Sequence, residues 1–153
     1  MKNSFSQKLV APCGMNCNVC SGYLALQNDV KSRGIRMPYC TGCRPRDKKC
    51  AFLKKRCEHL LNHDVQFCYE CREYPCKKLR AIDTRYQTFF RMSLLENLTD
   101  IKENGMEKFL RTQKEKWRCT TCGGVICCHN GLCFQCDSEC LRKKKKKYRW
   151  END

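Results

Sequence analysis

The sequence has no apolar run long enough to matter to a membrane. Nowhere do its 153 residues approach the roughly 18 consecutive apolar positions that a spanning helix needs. Near its start, Asn3, Ser4, Ser6, Gln7 and Lys8 break up any export-signal core, so the expected chain is soluble, touches no membrane and is cytoplasmic. Histidine is also scarce, with three residues in all. Open catalytic zinc sites ordinarily mix histidine or carboxylate with thiolate. Neither a nucleophile–base pair nor a glycine-rich phosphate loop stands in the sequence, and the expectation is a protein that is not an enzyme. Acidic residues are in short supply, 16 against 31 Lys and Arg, leaving a formal charge of +15.

What the chain has in excess is cysteine, seventeen residues of it. A secreted disulfide scaffold calls for an export signal and normally an even count. Thiolate ligation of metal in a reducing compartment fits the repeated C-x-x-C spacing instead. Twelve thiolates around three Zn²⁺ ions would lower the formal charge by six, to +9. That is still a strongly basic molecule, and such a surplus favours a polyanionic partner, nucleic acid above all.

Composition divides the chain into a cysteine-rich metal-binding domain over 1–82, a cysteine-free helical segment over 83–118, a zinc-ribbon-like knuckle over 119–140 and a basic tail over 141–153. In the middle segment Tyr86, Phe90, Leu94, Leu98 and Ile101 recur at three- and four-residue steps, marking one apolar helix face that ends at Gly105. Met106, Phe109, Leu110 and Trp117 mark a second, shorter helix. Phe89, Phe90 and Leu94 are predicted core. Shorter helices are expected over 23–31, 51–61 and 75–82, the last with Pro75 in its first turn. The predicted fold is therefore small, metal-stapled and mainly α, with irregular loops, short knuckle hairpins and few strands. Apolar supply is thin for this length, so metal must carry much of the stability.

Cys119-Thr-Thr-Cys122-Gly-Gly and Cys133-Phe-Gln-Cys136 are two C-x-x-C knuckles ten residues apart. Four thiolates delivered by two such turns make a closed tetrahedral site, the mark of structural zinc. Cys127, Cys128, His129 and Cys140 remain beside it, as additional ligands or as spare buried thiols. Further upstream, Cys17, Cys20, Cys40 and Cys43 make one plausible four-thiolate set, and Cys57, Cys68, Cys71 and Cys76 another. Cys13 and Cys50 are then left over as possible further ligands, and spacing permits several swaps among these ten. His59 and His63, four apart on a predicted helix, have a metal-compatible spacing but read better as a solvated face. Cys13, Cys17 and Cys20 share the C-x3-C-x2-C spacing that some radical enzymes use for an iron–sulfur cluster. The chain is shorter than the partial barrel those enzymes need, although a simple cluster remains an alternative to about three zinc ions.

The order of these motifs resembles the domain-of-unknown-function family 3795. The resemblance rests on Ala11-Pro-Cys-Gly-Met-Asn-Cys-Asn-Val-Cys20, Cys40-Thr-Gly-Cys43, Cys57 and Phe67-Cys-Tyr-Glu-Cys-Arg-Glu-Tyr-Pro-Cys-Lys-Lys-Leu79, and so covers about residues 9 to 82. Trp117-Arg-Cys-Thr-Thr-Cys-Gly-Gly124 is similar to a ribbon that some members append. The resemblance implies a small cysteine-rich metal-binding protein and no particular activity. Cys50, Cys127 and Cys128 have no clear place on its pattern.

Basic residues supply the functional expectation. Seven positive charges fall in nine residues of the tail, Arg142, Lys143, Lys144, Lys145, Lys146, Lys147 and Arg149. They would take phosphates by counterion release, with Tyr148 and Trp150 available for base stacking. Arg44, Arg46, Lys48 and Lys49 form a second basic stretch between knuckles, continued by Lys54, Lys55 and Arg56. No C2H2 finger is present, so backbone or shape recognition of structured RNA or the ribosome is expected rather than base reading of DNA. A protein-interaction adaptor built on zinc knuckles and an iron–sulfur electron-transfer or metal-handling protein are the alternatives.

Overall fold

The computed structural model describes residues 4–47 and 57–151. Among them are seven α-helices and no sheet: α1 Ser21–Gln27, α2 Cys43–Arg46, α3 Glu58–Leu61, α4 Lys77–Phe90, α5 Leu94–Asn104, α6 Met106–Lys116 and α7 Ser138–Lys143. Extended pairing is confined to the isolated bridges Val10–Asn16, Arg118–Val125 and Ile126–Cys133. The fold is thus mainly helical and rich in clustered cysteine. Among the described residues, no helix is long and apolar enough to cross a membrane.

The apolar stripe of the middle segment runs over two helices, where the sequence suggested one. Arg91 takes a left-handed conformation that stops α4 at Phe90, and Ser93 opens α5 three positions on, its Oγ accepting the Glu96 N–H at 3.1 Å. Buried Asp83 completes the junction by accepting from Ser93 Oγ at 3.0 Å and from the Leu95 N–H at 3.1 Å. Leu94, Leu98 and Leu79 are fully buried. Phe89 and Phe90, expected in the core, are only half-buried, covered in part by Arg149 and His129. Pro75 lies outside α4 rather than in its first turn, ahead of the capping residue Cys76. The helix predicted over 23–31 is α1 followed by a 3-10 turn, Val30–Arg33. Of the one predicted over 51–61, residues 51–56 lie outside the described residues.

The N-terminal loop is set against α5 with little room. Gly14 has φ +92, and a Cβ there would meet Leu94 O at 2.5 Å, so glycine is required for this approach. Asn97 Nδ2 donates to Gly14 O at 2.8 Å. Beside it, buried Asn16 donates to Gln113 Oε1 at 3.3 Å, and the same oxygen accepts the Trp117 indole N–H at 3.1 Å. Loop, α5 and α6 are thereby held by satisfied buried polar groups as well as by apolar contact.

The C-terminal segment joins the same core. Cys128 N–H donates to Val19 O at 2.9 Å, and His129 Nδ1 accepts the Ser21 N–H at 3.1 Å. One apolar cluster takes buried residues from Leu9 to Cys128 and has Trp150 packed on it. A second joins Leu24, Ile35 and Met37 to Cys127, Phe134 and Leu141.

Candidate metal centre

The sulfurs of Cys119, Cys122, Cys133 and Cys136 all lie within 4.8 Å of one another. Local backbone explains why. The 119–124 turn closes on the Cys119 N–H to Gly124 O and Gly123 N–H to Cys119 O bonds, 2.9 and 2.8 Å. It leaves the Gly124 N–H to donate to Cys122 Sγ at 3.3 Å. The second turn closes through Asp137, which donates its N–H to Cys133 O and accepts the Cys133 N–H on its carboxylate at 2.9 Å. Sulfur approaches sulfur at 3.9 Å for Cys119 and Cys136 and at 3.6 Å for Cys122 and Cys133. Four soft donors at these separations suit one tetrahedral ion.

Three of these thiols have their acidity moved by their neighbours and by burial. The Cys122 N–H aimed at Cys119 holds that thiol down at about 7, against the effect of burial. A hydrogen bond with Cys122 pushes Cys136 up to about 12. Burial, foremost, pushes Cys133 up. Crowded thiolates cannot all ionise unaided. A dication among them would remove the repulsion, and binding would release protons.

Two further thiol sets are looser. Cys17 is hydrogen-bonded to Cys43, and this contact, with burial second, raises its pKa well above the ordinary thiol range. Cys20 is pushed up to about 11 chiefly by burial, with Cys43 and Cys40 adding repulsion and the Gly22 and Tyr23 N–H groups opposing. Cys40 Sγ accepts from the Gly42 N–H at 3.3 Å and from Arg46 Nη1 at 3.5 Å. Residues 17, 20, 40 and 43 thus share one neighbourhood at the start of α1 and α2. Cys57, Cys68, Cys71 and Cys76 line a single cavity of about 20 Å³, walled otherwise by His59, Leu60, Val65, Tyr74 and Leu79. That volume is about the size of one water or ion. Cys76 caps α4, its sulfur accepting the Leu79 N–H at 3.4 Å.

The remaining sulfur and imidazole groups fall elsewhere. Cys13, Cys127 and Cys128 are fully buried, and Cys140 is exposed on α7. Burial drives the Cys127 and Cys128 thiols up. Cys127 Sγ accepts the His129 N–H at 3.3 Å. His129 is held down at about 4 by burial; its Nδ1 is occupied by the Ser21 N–H and its ring meets Phe90, Tyr86 and Tyr148 edge-on. His59, Cys71 and Glu73 bring one donor each within 4.8 Å, a mixed group that could also hold an ion. His63 does not share its helix: α3 ends at Leu61, and His63 turns at φ 57 toward Asp47 at 3.4 Å. Cys50 lies outside the described residues.

Residues 9–81 match a family model described as "Protein of unknown function (DUF3795)". The match is confined to that stretch, just under half of the chain. No curated protein and no solved structure matches. The DUF3795 segment contains both looser thiol sets and stops short of the four-sulfur cluster at 119–136.

The basic residues are not equally free. Arg44 is built into the fold, donating to Val10 O at 3.0 Å and Gln66 O at 2.8 Å and lying over Phe67. Arg46 is exposed, while Lys48 and Lys49, with Lys54, Lys55 and Arg56, lie outside the described residues. The tail is docked. Trp150 donates its indole N–H to Cys128 O at 2.7 Å, stacks under Arg91 at 4.0 Å and covers Gly131, where a Cβ would meet the ring at 2.4 Å. Lys147 Nζ donates to Leu141 O at 2.5 Å and Arg142 O at 2.9 Å, capping α7. Lys144 donates to Arg149 O, and Arg149 lies over Phe89 at 5.4 Å. Lys143, Lys145 and Lys146 point to solvent. Trp150 therefore has a structural occupation in place of the base stacking its sequence position suggested. No indole or hydroxyl signature in the sequence could reveal that dock, since its partners are Gly131, Arg91 and a main-chain carbonyl.

Proposed function

We propose that the protein is a zinc-stapled module that binds structured RNA, the ribosome included, through the phosphate backbone. The observation that carries this reading is the docked tail, held through Trp150 and Arg149, which leaves Lys143, Lys145 and Lys146 exposed as a basic ridge. A pre-ordered row of cations loses little entropy on meeting phosphates, and the excess of base over acid supports attraction at a distance. Zinc in three all-thiolate sites accounts for the sulfur supply. These residues would be Cys119, Cys122, Cys133 and Cys136; Cys17, Cys20, Cys40 and Cys43; and Cys57, Cys68, Cys71 and Cys76. Closed sulfur sites of this kind leave no open coordination position, so the reading includes no catalytic step and places the chain in a reducing compartment such as the cytoplasm.

The test is binding of an RNA hairpin and of purified ribosomes over a salt series. The expected result is affinity that falls linearly in log–log form, with a slope reduced by about one for each phosphate-contacting lysine removed. Undetectable binding at low salt rejects the reading. Elemental analysis of protein purified anaerobically decides the metal: about three zinc per chain supports it, and stoichiometric iron with sulfide points to electron transfer instead.

A further inference from the structure

A cleft of about 280 Å³ lies between α1 and the C-terminal knuckles. Phe5 and Tyr23 contribute aromatic wall over the buried Phe134, and Gln27, Asn28 and Gln135 contribute carboxamides. Among the described residues, no charged side chain lines it. We infer that this cleft is a base pocket, taking one unstacked nucleobase as a planar, neutral, hydrogen-bonding ring.

Four features support that ligand class. The volume falls just below the about 300–1,000 Å³ of sites that enclose drug-sized molecules, which suits one heteroaromatic ring. A phosphate, an ammonium or a carboxylate would find no counter-charge among the described lining. Aromatic walls stack on the faces of bases, while carboxamides, each with donor and acceptor, match base edges. The polar groups are also not all used up by the fold. Asn28 Nδ2 is engaged by Leu24 O, but among the described residues no hydrogen bond involves the Gln27 carboxamide or the Tyr23 hydroxyl. Cys133, one of the four clustered sulfurs, stands in the wall, so metal binding would fix the shape of the pocket.

The inference deepens the RNA reading and rests on it: the tail would hold phosphates while the cleft holds one splayed base. The experiment compares a single-stranded RNA octamer, a fully paired RNA hairpin stem, and free adenosine and uridine. Each is titrated into the metal-loaded wild type, Gln27→Ala, Phe5→Ala and the tail variant Lys145→Glu/Lys146→Glu. Zinc content and thermal midpoint serve as fold controls. Expected is a preference of the wild type for the single strand, weakened about tenfold in Gln27→Ala and in Phe5→Ala, with stem affinity unchanged. The tail variant should weaken both RNAs. Loss confined to the tail variant overturns the pocket and leaves the RNA reading standing. If neither RNA binds at low salt, the RNA reading falls. The nucleosides then decide the pocket: saturable binding abolished in Gln27→Ala keeps it, and no binding overturns it.

Discussion

At the residue scale the molecule turns on what each sulfur and each imidazole has for neighbours. Cys122 is exposed, and its sulfur lies 3.6 Å from Cys133 with the Gly124 N–H behind it. Replacing it with serine leaves three thiols that an ion would have to share with water. Cys122→Ser should therefore lower bound metal by one per chain, with several kcal/mol of apparent stability lost as that ion's contribution to folding disappears. Elemental analysis with a chemical melt checks both. Cys140→Ser, on the exposed face of α7, should change neither.

His129 supplies a pH dependence of its own. Burial holds it down at about 4, below the ordinary 6.5. Above pH 6.5 it is neutral whether folded or unfolded, and no stability depends on it. As pH falls from 6.5 towards 4, the unfolded chain takes up a proton that the folded imidazole refuses, and stability is lost. At pH 5 the loss should be about 2 kcal/mol relative to pH 7. Acid also competes for the thiolates, so the contribution is read as a difference. His129→Gln, which can still accept the Ser21 N–H, should be less stable at pH 7 yet lose about 2 kcal/mol less than wild type between pH 7 and pH 5. Equal losses in denaturant melts at both pH values would show that the imidazole does not carry this dependence.

At the element scale the boundaries are set by small polar groups more than by the apolar stripe. The stripe from Tyr86 to Ile101 is legible in the sequence as helix. Its interruption is not legible from periodicity, because apolar spacing continues across the break. The signal was Ser93 followed by Glu96, a capping-box pattern, and Asp83 reaching across from α4. Ser93→Ala removes the cap on Glu96 N–H and leaves buried Asp83 short of one donor. A cost of about 1–2 kcal/mol follows, measurable as a lower denaturation midpoint with the metal content unchanged. The paired knuckles at 119–136 were readable from spacing because a C-x-x-C turn is local. For the upstream thiols, spacing offered Cys17, Cys20, Cys40 and Cys43 as one of several partitions and could not choose among them, since Cys17 meeting Cys43 depends on how α1 and α2 fold back. Nor was the seating of Trp150 readable. Composition marks 141–153 as a charged tail, while the observation that orders its described part is a flat glycine surface at 131.

At the scale of the whole molecule, several of the described cysteines are core residues. Cys13, Cys17, Cys68 and Cys128 are buried in the same cluster as Leu79, Leu94, Leu98 and Trp117, so an ion bound among the thiols would link elements that carry little apolar surface themselves. The helices α5 and α6 differ, since they pack through Ile101 and Phe109 on Val10 and through the Asn16–Gln113–Trp117 bonds. Chelation should therefore act unevenly. With excess chelator, amides of 13–46 and 119–136 should lose hydrogen-exchange protection by orders of magnitude, while α5 and α6 keep part of theirs as a residual helical unit. The tail should come free in the same step, because its anchor, Cys128 O with Gly131 below, sits on the knuckle that the cluster holds. Protease cleavage between Lys143 and Arg149 would then rise together with the loss of metal, and Trp150→Ala should raise it with metal still bound. Uniform loss of protection across all helices would make the metal the sole support of the fold. Unchanged protection after complete metal removal would mean that the thiol clusters are packing and not stapling.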